Sequence, residues 1–173
     1  MKLLKWCLVI LLCAYLGQYL LALVLPNLVM ELLYQRGGVK QAYNTLYIKP
    51  RADETSREIV RPSPDLFYGS CIYNLAEGPL LIEAKVPERY WSMQFYQMNT
   101  DNYAGMSNRR DEHYRIGTLV RVILIGPGSN PKDYSGEVIQ SPSQRGIVLL
   151  RASGIGEPSG AIAALEQSRC GPV

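Results

Sequence analysis

Few side chains in this 173-residue chain are of the types that carry acid–base, nucleophilic or metal chemistry. His113 is the single histidine, and it lies in the polar stretch RRDEHYR. A metal centre built there would draw on Asp111 and Glu112, but the stretch reads as a solvated loop. The four cysteines form no C-x-x-C pair, the spacing that a structural metal site most often uses. A serine nucleophile would depend on the same His113, and no Gly-x-Ser-x-Gly elbow presents one, so Ser70 and Ser141 have no visible activation. Gly154-Ile155-Gly156-Glu157-Pro158-Ser159-Gly160 has the outline of a dinucleotide-binding turn. No second strand or ribose-binding acid follows it, and Glu157-Pro158 reads better as a helix entry with proline in the first turn. The residue types therefore predict no catalytic centre, no metal and no cofactor. An enzyme would have to use Asp65 or Asp101 as a carboxylate with a raised pKa in a cleft.

Binding chemistry is better represented. Tyr68, Tyr73, Asn74, Gln94, Tyr96 and Gln97 are expected to share one sheet face, with Tyr68, Tyr73, Gln94 and Tyr96 as a ligand-binding set. Tyrosines interleaved with amides suit small polar or ring-shaped ligands. Asn99 to Asn102 reads as a polar corner, and Arg61 with Asp65 as a buried ion pair that fixes a turn.

The elements that must hold these residues begin with a membrane segment. From Trp6 to Met30 there is no charged residue, and a span of hydrocarbon about 30 Å thick needs about 20 residues. A cleaved signal would have a shorter apolar run closed by a small-x-small site, which is missing here. Cys7 and Cys13 follow Trp and Leu, so a lipoprotein reading fails as well. Lys2 and Lys5 before the run place the N-terminus in the cytoplasm and the domain outside. Of 18 basic residues, 16 lie beyond the span against 15 acidic ones, which leaves no basic stripe for nucleic acid.

The span has a distinctive side. Tyr15, Gln18, Tyr19 and Ala22 recur at helical spacing, and Cys13 and Gly17 add a small-xxx-small pair. An amide at mid-membrane is costly unless it finds a partner, so this face is expected to dock another membrane helix or a membrane-embedded ligand. Beyond the span, Gly37-Gly38 is expected to end the helix. Val39, Ala42, Tyr43 and Leu46 then suggest a short amphipathic helix, followed by a polar linker to residue 58.

From Ile59 the pattern turns to short strands. These are expected at Leu66–Leu75, Leu80–Val86, Tyr90–Met98, Thr118–Ile125, Gly136–Gln140 and Gly146–Arg151, with a last helix near Ser159–Gln167. The predicted fold is mainly β: a transmembrane helix, then a small antiparallel sandwich or partly open barrel with a short C-terminal helix. The expected division is 1–5 cytoplasmic, 6–33 anchor, 34–58 juxtamembrane helix and linker, and 59–173 periplasmic domain. Cys71 and Cys170, the two cysteines beyond the span, can pair in an oxidising compartment.

Arg61-Pro62-Ser63-Pro64-Asp65-Leu66-Phe67-Tyr68, Asn74-Leu75, Gly78-Pro79, Val86-Pro87, Arg89-Tyr90-Trp91-Ser92, Thr100-Asp101-Asn102, Gly126-Pro127-Gly128 and the strand Gly146–Arg151 resemble, in order and spacing, the domain of unknown function 1254 family. The resemblance implies a periplasmic or membrane-anchored β-rich domain, here in a short version without the second domain found in many members. It carries no assigned reaction. Asp65, Tyr68, Gly78, Pro79, Arg89, Tyr90, Asp101 and Asn102 correspond only as motif positions. The function expected is an accessory subunit of an inner-membrane complex of respiratory, photosynthetic or monooxygenase-like type. It would contact the lipid bilayer and an integral membrane partner. The alternative is a periplasmic small-molecule binding module.

Overall fold

The computed structural model describes residues 2–57, 62–109 and 113–173. It opens with α1 (Lys2–Lys40), followed by β1 (Leu46–Ile48), β2 (Leu66–Asn74), β3 (Leu80–Lys85), β4 (Trp91–Gln97), β5 (Asn102–Ser107) and β6 (Leu119–Ile125). Then come β7 (Glu137–Gln140), β8 (Arg145–Ser153), α2 (Pro158–Glu166) and β9 (Arg169–Pro172). The strands make a five-stranded sheet in the order β1-β2-β8-β4-β5 and a four-stranded sheet in the order β7-β6-β3-β9. All pairings are antiparallel except β6 with β7. The domain is thus an open sandwich, not a closed barrel.

The alternation in the sequence explains the layering. Leu80, Ile82, Ala84 and Val86 of the β3 segment are at most 1% exposed, while Trp91, Met93 and Phe95 of β4 are wholly buried. Phe67, Cys71 and Tyr73 of β2 and Val148, Leu150 and Ala152 of β8 complete the inner face of the larger sheet. Side chains from alternate positions of both sheets fill one core, as in other packed sandwiches. Ala161 and Leu165 of α2 join it, and Pro158 stands at the start of that helix. Cys71 and Cys170 are joined by a disulfide between the two sheets.

On the outside of the smaller sheet, Glu83 lies between two arginines brought opposite it by register, Arg121 on β6 and Arg169 on β9. Arg121 Nε donates to Glu83 Oε1 at 2.7 Å, and Arg169 pairs with the other oxygen. The hydrogen bond from Arg121, aided by Arg169, holds the carboxyl below its ordinary value of 4.5. A lowered folded-state pKa means that the unfolded chain binds more protons in acid. The stabilisation is therefore complete above the ordinary value and lost as pH falls through the folded one. Glu83→Gln is expected to cost on the order of 1–2 kcal/mol at pH 7. That difference from wild type should shrink in urea melts at pH 3; an equal loss at both pH values would refute the electrostatic account.

Three elements differ from the sequence-based expectation. First, α1 does not end at Gly37-Gly38, and Val39 to Leu46 form no second helix. Gly37 instead lets Ile72 approach the helix backbone, and Gly38 does the same for Tyr43. Tyr43 folds back to stack on Tyr34 with ring centres 5.0 Å apart. Second, where the expected juxtamembrane helix was to give way to the linker, residues 46–48 form β1, an edge strand on β2. Third, the polar corner after β4 is a hairpin leading into β5, and the C-terminal tail supplies β9. The expected start of the domain at Ile59 and the pairing of Arg61 with Asp65 lie outside the described residues in part, and Asp65 itself is exposed.

Candidate functional site

Alternation along β2 decides which tyrosines can meet a ligand. Odd positions point into the core and even positions outward, so Tyr68 and Tyr73, five residues apart, lie on opposite faces. Tyr73 is wholly buried, which corrects its place in the expected binding set. Its hydroxyl lies 2.9 Å from Ser141 Oγ and 3.1 Å from the Tyr103 hydroxyl. Burial pushes both phenols up from their ordinary value. Ser141 is consumed in this network, donating to the Ser143 carbonyl at 2.6 Å.

Tyr68, Gln94 and Tyr96 do share the outer face of the larger sheet. Tyr68 is tied locally, its hydroxyl accepting from the Ser63 amide at 2.9 Å. Register sets Arg151 of β8 between Tyr68 of β2 and Ser92 of β4, and Ser107 of β5 beside Ser92. Ser92 has no exposed surface, and its Oγ accepts from the Tyr90 hydroxyl at 3.0 Å and from Arg151 Nε at 3.1 Å. One row nearer the helix, Gln94 accepts from Asn102 Nδ2 across Gly105, where a Cβ would collide with the Gln94 amide. The Arg109 guanidinium lies 5.9 Å from the centre of the Tyr90 ring. Tyr90, Gln94, Asn102, Gly105, Arg109 and Arg151 border an open cleft of about 610 Å³. Of the expected ligand set only Gln94 lines it. Tyr90 and Asn102 stood among the motif positions, but Arg109 and Arg151 were missed.

The other candidate surface is α1. Its apolar stretch is long enough to cross a membrane and is bare of contact with the domain. Cys13, Tyr15, Gln18, Tyr19 and Ala22 are exposed and Gly17 half-buried. The Tyr15 and Tyr19 hydroxyls meet at 3.1 Å on one side of the helix. The C-terminal end of α1 is docked firmly. Met30 and Tyr34 are buried, Arg145 pairs with Glu31 at 3.2 Å, and its guanidinium stands 5.0 Å over the Tyr34 ring. Burial, the largest influence, pushes the Tyr34 phenol up to about 12.

The contacts give the helix a direction. Glu31 meets Arg145, which is opposite Asn74; Gly37 lies beside Ile72; Gln41 donates to the Ser70 carbonyl. Helix numbers rise as β2 numbers fall, so α1 runs antiparallel to β2 and its apolar part leaves past the Asn74–Arg145 edge. Asp65, Asp101 and His113 are exposed, and Asp101 accepts from Asn99 Nδ2 at 2.7 Å within its hairpin. Asp111 and Glu112 lie outside the described residues. No group of three His, Cys, Asp or Glu side chains converges among the described residues.

A profile of the family described as "Protein of unknown function (DUF1254)" matches residues 43–169, well over half of the chain. A crystal structure of a protein from Vibrio parahaemolyticus matches with a TM-score of 0.58 and 14% identity, over 83% of this chain and 34% of that one. An uncharacterised protein from Burkholderia cenocepacia matches with a TM-score of 0.46 and 21% identity, over 65% of this chain and 32% of that one. The chain thus spans about a third of the length of the solved structures it matches. The likeness to the first is one of fold. No curated protein matches.

Proposed function

The chain belongs to the DUF1254 family of proteins of unknown function, and on that footing we propose that it is an accessory subunit of a bacterial inner-membrane complex. In this reading α1 spans the membrane from a cytoplasmic N-terminus and packs against a helix of an integral partner. The β-domain stands on the periplasmic side, where the Cys71–Cys170 disulfide is compatible with the compartment. No catalytic step is part of this role.

The observation that carries it is a contrast between two amides in the apolar stretch. Asn27 Nδ2 donates to the Leu23 carbonyl of its own helix at 3.0 Å and is thereby satisfied. Gln18 makes no side-chain hydrogen bond among the described residues, and it shares a face with Tyr15, Tyr19 and the small residue Ala22. In hydrocarbon an unpaired amide is costly, and a neighbouring helix is the usual remedy. The docking of Met30 and Tyr34 supports the same role, because a rigid joint fixes the domain relative to whatever the helix packs on.

Extraction of the tagged protein in mild detergent is the test. Co-migration with an integral membrane protein is expected, and migration as a lone monomer in every extract would sink the reading. Gln18→Leu should weaken recovery of the complex by about 3- to 15-fold, the range of an interhelical hydrogen bond in membranes. A second reading, a periplasmic small-molecule binding module, is favoured by the cleft beside Arg151 and is compatible with the first.

A further inference from the structure

The geometry points to an oxyanion-binding site in the cleft between Arg109 and Arg151, taking a water-soluble small molecule that carries a carboxylate or phosphate. Two guanidiniums border this cleft, and no acidic residue lines it among the described residues. Neither arginine pairs with a carboxylate among the described residues. A pair of arginines beside a phenol and an amide is the donor set that planar, multiply accepting anions require. The inference is independent of the helix-packing role proposed for α1.

The site is built rather than scattered over the surface. Buried Ser92 accepts both from Tyr90 and from Arg151 Nε, occupying its two lone pairs, so Arg151 is held through one nitrogen. Arg151 lines the cleft, and its terminal nitrogens make no hydrogen bond among the described residues. Tyr90 is fixed by the same serine, and its ring in turn carries Arg109. The Gln94 side-chain oxygen is taken by Asn102, which leaves its NH₂ group as a further donor. A volume of about 610 Å³ falls in the range of about 300–1,000 Å³ usual for small-molecule sites.

Position argues against a lipid headgroup as the source of the anion. The apolar part of α1 leaves the domain at the edge marked by Arg145, and Arg151 is six positions further along β8. At about 3.3 Å per residue, that places the Arg151 backbone about 20 Å along the strand from the edge where the helix enters lipid.

Titration calorimetry on the full chain, reconstituted in nanodiscs of zwitterionic lipid, tests this with inorganic phosphate and with succinate, against chloride at matched ionic strength. Saturable binding of phosphate, succinate or both is expected, and the pattern assigns the anion class. Arg109→Gln and Arg151→Gln should each weaken binding at least tenfold, with Lys132→Gln unchanged. Arg109→Gln is the more secure variant, since that side chain holds no strand in place. The inference is overturned if neither anion binds saturably, or if both arginine variants bind as wild type does. It is also overturned if, in parallel nanodiscs that contain anionic lipid, that lipid is the sole species whose binding Arg109→Gln weakens.

Discussion

Replacing Cys71 and Cys170 together by alanine is expected to lower the stability of the β-domain by about 4–5 kcal/mol, the value for closing a loop of about 100 residues. The two cysteines are 99 residues apart in sequence. Their link joins the middle of β2, in one sheet, to β9, in the other. Besides this link, strand β9 is held by the Arg169–Glu83 ion pair and by a short pairing. It pairs with β3 over four residues, and two of its own four are Gly171 and Pro172. Without the link the tail should fray before the rest of the sandwich unfolds. Alanine rather than serine is the right replacement because Cys71 has no exposed surface and a hydroxyl there would be buried. Urea melts with and without dithiothreitol would read the effect. Reductant should bring the wild type close to the double variant and leave the variant unmoved. If the double alanine chain melts within 1 kcal/mol of wild type, the bond does not carry the load assigned to it.

How much of this was legible beforehand depended on whether a feature was local. Strands β2, β3, β4, β6 and β8 could be read from alternation or apolar runs, because their inner faces are buried and periodicity records burial. The missed elements are those that burial does not pattern. β1 is three residues long, β5 (NYAGMS) is an edge, and β9 (RCGP) contains two residues that usually break strands. Gly37-Gly38 looked like a stop signal, but both glycines serve close approach by Ile72 and Tyr43, which no local pattern announces. Tyr73 stands an odd number of residues from Tyr68, which in a strand puts the two on opposite faces. Arg151 could be recognised as the end of a strand. Its meaning was hidden because Tyr90 and Ser92 come from the start of β4 and Arg109 from just past β5, and only register brings them together.

Gly146 is where the core and the candidate site constrain each other, and Gly146→Ala is expected to cost about 3 kcal/mol or more. Gly146 lies between Tyr73 of β2 and Gln97 of β4. A Cβ there would strike the Tyr96 backbone carbonyl as well as the Tyr73 hydroxyl. Side-chain clashes can be relieved by rotation, but a clash with backbone in a central strand cannot. Relief would require β8 to part from β4 where Tyr73, Tyr103 and Ser141 share their hydrogen bonds. Parting the strands at one end of β8 should also loosen the Arg151–Ser92 contact, five residues further on. The expected result is therefore a large loss in the urea midpoint together with weaker anion binding in whatever fraction remains folded. Gly171→Ala is the matched control, because a Cβ at that position meets nothing within 4 Å. Equal melting of the two variants would show that the space over Gly146 is not what fixes the register of β8 against β4.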